Sequence, residues 1–68
     1  MNEDAFNSSL RKFLKTLGVS AQREIEKAVR QAIADGRIKG TEKWPASATV
    51  SIPGVGLTWR VDGEIDLQ

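Results

Sequence analysis

The chain has 68 residues, a net charge of +1, and neither cysteine nor histidine. These features exclude disulfides, thiolate metal sites and a histidine general base, and the length predicts one small domain over residues 1–68. Hydrophobic residues make up 40% of the chain and charged residues 28%, which indicates a folded domain rather than a disordered chain. A domain this short has a small core and often depends on a partner subunit for stability.

The start of the chain and its composition predict a cytoplasmic protein. Residues 2–4 are polar and acidic, whereas a secretory signal begins with positive charge followed by an apolar run. No stretch approaches the roughly 18 consecutive apolar residues of a membrane span. A chain without cysteine also fits a reducing compartment. We therefore expect no membrane partner, no metal and no cofactor.

Residues 3–17 carry the first periodic segment. Its apolar residues recur at intervals of three and four, as on one face of a helix: Phe6, Leu10, Phe13, Leu14 and Leu17. Asn2 is expected to cap the N-terminus of this helix. Gly18 is expected to end it, because glycine is the preferred residue just beyond a helix.

A second helix is predicted over about residues 21–34, with Ser20 as its cap and Asp35-Gly36 as its end. Its apolar residues keep the same periodicity and are rich in alanine: Ala21, Ile25, Ala28, Val29, Ala32 and Ile33. Because only residues 18–20 separate the two segments, they are expected to form a helical hairpin.

The period changes to two after residue 46. Apolar and polar residues alternate over about 46–52 and 57–67, which predicts an antiparallel β-hairpin. Pro53-Gly54 between these runs suits the central positions of a type II turn. A short third strand could lie near 37–39. The expected fold is α+β, with the helical hairpin packed on one face of the β-hairpin.

The chain resembles a family of small bacterial proteins described only as a domain of unknown function. The residues that carry the resemblance are Met1-Asn2-Glu3-Asp4, Phe6-Asn7, Arg11-Lys12-Phe13-Leu14-Lys15, Gly18-Val19, Gln22, Ile25-Glu26, Ala28-Val29-Arg30, Gly36, Lys39-Gly40 and Gly63-Glu64-Ile65. The resemblance covers nearly the whole chain and implies a bacterial cytoplasmic protein. It brings no activity, ligand or site with it.

The segment Leu17–Ser20 is similar to the tight turn of helix-turn-helix regulators, whose second helix lies in the DNA major groove. With Gly18 as the turn glycine, that motif requires apolar residues at positions 24 and 27, which are both charged here. The apolar residues lie one place later, and one residue rotates a helix by about 100°. The register therefore argues against this motif.

Five basic residues form a candidate nucleic-acid site: Arg23, Lys27, Arg30, Arg37 and Lys39. The first three fall on one side of the predicted second helix, where they could contact phosphates. However, Glu24 and Glu26 lie at ion-pairing spacings on the same helix, and no aromatic residue lies among the basic ones to stack on bases. A solvated helix face is the simpler interpretation.

Two further features of the C-terminal half have a functional and a structural interpretation. Asp62, Glu64 and Asp66 share one strand face, but their roughly 7 Å separation is too wide to chelate one ion, so a soluble sheet face is favoured. Trp59 is assigned to the core. Trp44, next to Pro45, could cap the core or serve as an anchor for a partner.

Catalysis finds little support in the sequence. Without cysteine, histidine or tyrosine, a nucleophile would need a serine activated by lysine, and only Ser9 and Lys12 have the required spacing. We therefore expect a non-catalytic protein-interaction module, whose partner is an unidentified protein or a second copy in a homodimer. The alternative is a nucleic-acid-binding domain that uses the basic residues.

Overall fold

The computed structural model describes residues 1–68. In chain order it contains helix α1 (Glu3–Ala34), strand β1 (Lys43–Ile52), a 3₁₀ turn (Pro53–Val55) and strand β2 (Leu57–Asp66). The chain divides into two compact units, a helical unit over Met1–Arg37 and a hairpin unit over Ile38–Gln68. The α+β class expected from the sequence is confirmed.

The helical unit is one continuous helix, and the predicted helical hairpin (3–17 and 21–34) is wrong. Residues 18–20 are helical, so Gly18 does not end a helix and Ser20 does not cap one. A glycine inside a helix costs about 1 kcal/mol relative to alanine. A break at this point would instead give up the intrahelical hydrogen bonds that span residues 18–20 and leave those groups to water or to new caps. The two-helix layer expected above the β-hairpin is therefore absent.

The N-terminus of α1 is capped as predicted. The Asn2 side-chain oxygen Oδ1 accepts a hydrogen bond from the Ala5 N–H at 3.0 Å. Glu3 and Asp4 lie in the first turn, where negative charge interacts favourably with the helix dipole. The first turn is thus stabilised both by a hydrogen bond and by charge.

The C-terminus of α1 ends at the predicted glycine. Gly36 has a left-handed backbone (φ 75°), and its N–H donates to the Ile33 carbonyl at 3.0 Å. The Arg37 N–H donates to the Ala32 carbonyl at 2.9 Å, which completes a Schellman motif. The third strand predicted near 37–39 is absent, because the Arg37 N–H serves this motif and the Lys39 N–H donates to a side chain.

The hairpin unit is a two-stranded antiparallel sheet. Its register runs from Lys43 opposite Asp66 to Ile52 opposite Leu57. The β-hairpin predicted over about 46–52 and 57–67 is confirmed, although β1 begins at Lys43 rather than near residue 46. Pro45 is tolerated in β1 because its nitrogen lies at a position that points away from β2.

The connection between the strands differs from the predicted type II turn. A type II turn needs a positive φ at Gly54, but the glycine with positive φ in this connection is Gly56 (φ 69°). The Gly56 N–H donates to the Pro53 carbonyl at 3.1 Å. Pro53 supplies the fixed φ that begins a 3₁₀ turn, and Gly56 supplies the left-handed residue that leads the chain into β2.

Neither unit has a core of its own. No residue in either unit is buried, because a lone helix and a two-stranded sheet are single layers and a core needs at least two. No helix of the structure combines the length and the hydrophobicity that crossing a membrane requires. The functional question is therefore what covers the apolar side of each layer.

Candidate functional site

An apolar stripe runs along one side of α1. It consists of Phe6, Leu10, Phe13, Leu14, Leu17, Ala21, Ile25, Ala28 and Ala32. Its large side chains are 38–50% exposed. The stripe crosses residues 18–20 without losing phase, because several of its positions recur every 11 residues, close to three helical turns. From Phe6 to Ala32 it extends over about 39 Å of helix.

The hairpin unit carries an apolar sheet face. The register places Trp44 opposite Ile65 and Val50 opposite Trp59 on the same side of the sheet. The remaining positions of this face are also non-polar: Ala46, Ala48, Ile52, Leu57, Val61 and Gly63. Trp44 is 42% exposed and Trp59 is 55% exposed, so both indole rings lie on an uncovered surface. Trp44 therefore occupies a position suited to contact a partner.

Three of the five predicted nucleic-acid residues form a basic row on α1. Arg23, Lys27 and Arg30 share one side of the helix, opposite the apolar stripe. Lys27 Nζ lies 3.7 Å from Glu24 Oε1, and Arg30 Nη1 lies 3.4 Å from Glu26 Oε2. Two of the three cations thus have carboxylate neighbours on their own helix.

Glu26 is held in its charged form beside Arg30. Its carboxylate accepts a hydrogen bond from the Gln22 side-chain amide at 3.0 Å. This hydrogen bond, followed by the nearby positive charge of Arg30, lowers the pKa of Glu26 despite partial desolvation. The carboxylate consequently reduces the positive potential of the basic row at neutral pH.

The other two predicted nucleic-acid residues do not join the basic row on α1. Arg37 follows the end of the helix, and its Nη2 lies 3.3 Å from Asp35 Oδ2. Lys39 belongs to the hairpin unit. The predicted five-residue site is therefore a row of three cations plus two residues beyond the helix.

A carboxylate that the sequence argument did not identify organises the segment before β1. Glu42 accepts hydrogen bonds from three backbone N–H groups, those of Lys39 at 2.9 Å, Gly40 at 2.8 Å and Thr41 at 3.0 Å. These bonds, with that from Lys39 the strongest influence, lower the pKa of Glu42 against the cost of desolvation. The only local sequence signal is a glutamate shortly after Gly40, which has a left-handed backbone (φ 96°).

The acidic residues of β2 lie on the polar face of the sheet. Arg60 Nη2 is 2.9 Å from Asp62 Oδ1, and Lys43 is opposite Asp66 in the register. Positive side chains therefore accompany two of the three carboxylates. This arrangement fits the interpretation of the row as a solvated outer face.

Comparison with known proteins gives a family and no activity. No curated protein and no solved structure matches the chain. A family model described as a family of unknown function (DUF6494) matches residues 1–68. The resemblance noted in the sequence is thereby confirmed over the full 68 residues. The chain belongs to this family of unknown function.

Proposed function

We propose that the chain is a small non-catalytic module that acts through contacts with protein. The observation that carries this proposal is an uncovered apolar surface on each unit, the apolar stripe of α1 and the apolar sheet face of the hairpin. Monomeric soluble proteins rarely expose continuous apolar patches larger than a few hundred Å², and larger patches mark interaction sites.

The placement of the aromatic residues supports the same conclusion. The chain has two Phe, two Trp and no Tyr. Phe6 and Phe13 lie on the apolar stripe, and Trp44 and Trp59 lie on the apolar sheet face. Aromatic side chains dominate the energetics of protein interfaces, since each removes a large area from water on binding. Each aromatic residue is thus exposed on the surface of its own unit.

A catalytic role has much weaker support. The chain lacks cysteine, histidine and tyrosine, which supply most nucleophiles and general bases. A depression beside Lys27 and Arg30 is lined by residues of α1 alone and is open to solvent. Enzyme sites, by contrast, are concave and enclose most of the substrate.

Nucleic-acid binding is the second candidate function. The observation in its favour is the basic row, whose three cations lie on one side of α1 and could follow a phosphate backbone. Against it, Glu24 and Glu26 are adjacent to two of those cations, and the net charge of the chain is only +1. The apolar surfaces are the larger and less compensated features, so the protein-contact role is preferred.

Capture from host lysate with matched variants tests the preferred role. Leu10→Gln with Leu17→Gln removes two large side chains from the apolar stripe. Ser9→Gln with Thr16→Gln places the same residue type one position earlier, about 100° around the helix, and serves as the control. The tagged wild type and the control should retain protein, either an untagged second copy or another protein, after nuclease treatment, and the stripe variant should lose it.

Two results would count against the proposal. If the stripe variant and the wild type capture the same amount of protein, the apolar stripe of α1 does not take part in the interaction. Recovery of nucleic acid alone, lost on nuclease treatment, would favour the basic row as the functional surface.

A further inference from the structure

We infer that the apolar stripe of α1 is covered by the same stripe of a second copy, antiparallel to the first and centred near Val19. This inference rests on the proposed function and specifies its partner. It concerns the helical unit only.

The stripe is complementary to itself when one copy is reversed. Its N-terminal half is bulky and its C-terminal half is rich in alanine. Positions equally far from residue 19 pair a large side chain with a small one in three cases and two large ones in a fourth: Phe6 with Ala32, Leu10 with Ala28, Leu17 with Ala21, and Phe13 with Ile25. Reversal therefore places bulk against free space at three of these four pairs, while Leu14, the remaining stripe residue, falls opposite Glu24.

A parallel pair lacks this match. In register, it would place Phe6 against Phe6 at one end and Ala28 against Ala28 at the other. The distance between packed helices is 8–10 Å and depends on the side chains between them. Bulky residues at one end need a larger interhelical distance than alanine residues at the other. Two straight helices can meet only one of these distances along their length, and the gap left at the other end loses van der Waals contacts.

The acidic first turn and the helix dipole also favour the antiparallel direction. Glu3 and Asp4 make the first turn of α1 acidic, and its last turn holds no basic residue. Antiparallel pairing keeps the two acidic first turns at opposite ends of the pair. Parallel pairing would place four carboxylates together at one end and would align the two helix dipoles.

Introduced cysteines test the direction and register directly, because the chain has no cysteine of its own. A mixture of Leu10→Cys and Ala28→Cys chains should form a disulfide between the two different variants under mild oxidation. Each variant alone should form little, because the two copies of one position lie about 27 Å apart in the antiparallel pair and a disulfide needs Cα atoms within about 7 Å.

Two further mixtures serve as control and replicate. Ser8→Cys with Arg30→Cys lies at the same symmetric register but on the side of the helix away from the stripe, so it should not form a disulfide. Phe13→Cys with Ile25→Cys should form one, which guards against the case in which loss of Leu10 weakens the pair. Sedimentation of the unmodified chain should give the mass of a dimer.

The outcomes separate this inference from the proposed function. A disulfide of Leu10→Cys with itself would show a parallel pair and overturn the antiparallel register. A wild type that stays monomeric at its highest soluble concentration would overturn self-pairing. Binding of the monomer to vesicles of anionic lipid through the stripe would overturn it as well. The lysate capture would still decide the protein-contact role, because a different protein bound through the stripe would leave that role intact.

Discussion

At the scale of single residues, Glu42 has a structural role that no other side chain in the chain has. Its carboxylate accepts the N–H groups of three consecutive residues that belong to no helix or strand. Backbone N–H groups without a partner are costly wherever water is restricted, so this carboxylate stabilises one path for the chain into β1. The same bonds favour the charged form and keep the pKa of Glu42 below its ordinary value of 4.5.

This lowered pKa predicts an acid-sensitive segment. A carboxyl group whose pKa is lower in the folded state stabilises the fold above its unfolded pKa, and that stabilisation is lost as the pH falls through the folded value. The amide proton resonances of residues 39–41 should therefore shift together in a titration below pH 4.5. Glu42→Gln should abolish this common transition.

Glu64→Gln is the matched control for that titration. It removes a carboxylate from the polar face of the same unit without touching residues 39–41, so the common transition should persist. If the amide resonances of residues 39–41 still shift together in Glu42→Gln, the three hydrogen bonds are absent in solution.

At the scale of elements, the ends of the helix and the alternation of the strands were predictable, and the middle of the helix was not. The Asn2 side chain accepts a backbone hydrogen bond at the N-terminus of the helix. Gly36, which has no side chain, donates the backbone hydrogen bond that helps to end it. Gly18 and Ser20 have the same preferences, but a continuous helix tolerates both. The decisive signal was the unbroken phase of the apolar residues from Leu17 to Ala21.

Other local features could not be resolved from composition. Gly54 and Gly56 are both free to take a positive φ, so residue type alone does not say which one turns the chain. The role of Glu42 depends on the path of the backbone around it, and no pattern of residue types in the sequence indicates that path. Trp44 and the basic row could be identified as candidate sites, because charge and aromaticity are visible in the residue types themselves.

The continuity of α1 predicts opposite effects for one substitution at two glycines. Gly18→Ala should stabilise the helix by about 1 kcal/mol, since a Cβ there meets nothing within 4 Å. Gly36→Ala should destabilise it by about 1–2 kcal/mol, because alanine is strained in the left-handed conformation. Thermal unfolding followed by far-UV circular dichroism measures both, and a destabilising Gly18→Ala would contradict a continuous helix at residue 18.

At the scale of the whole molecule, each unit carries most of its charge away from its apolar side. The basic row lies opposite the apolar stripe, and the charged residues of the sheet lie opposite the apolar sheet face. Contacts through the apolar surfaces should therefore respond little to salt, and contacts through the charged surfaces should respond strongly. Salt dependence can thus distinguish the two candidate functions.

Charge reversal in the basic row makes that distinction quantitative. Arg23→Glu with Lys27→Glu should leave self-association within about twofold of the wild type, because exposed charges remote from a contact contribute little. If the row instead bound nucleic acid through three phosphates, affinity for a labelled duplex would fall about 40-fold between 50 and 200 mM salt. Fluorescence anisotropy measures the second quantity, and such a steep fall, abolished by the double variant, would favour the nucleic-acid role.

The continuity of α1 through residues 18–20 has a consequence for the pairing proposed above. The two halves of the stripe lie on one uninterrupted helix, so they cannot meet within one chain. In the proposed pair the contact forms between two molecules, and its occupancy would follow mass action with the amount of protein present. A cell that makes little of this chain would hold it mostly as single copies with exposed stripes, and a cell that makes more would hold it paired. Under the proposed pairing, one uninterrupted helix thus ties the oligomeric state of the protein to its own abundance.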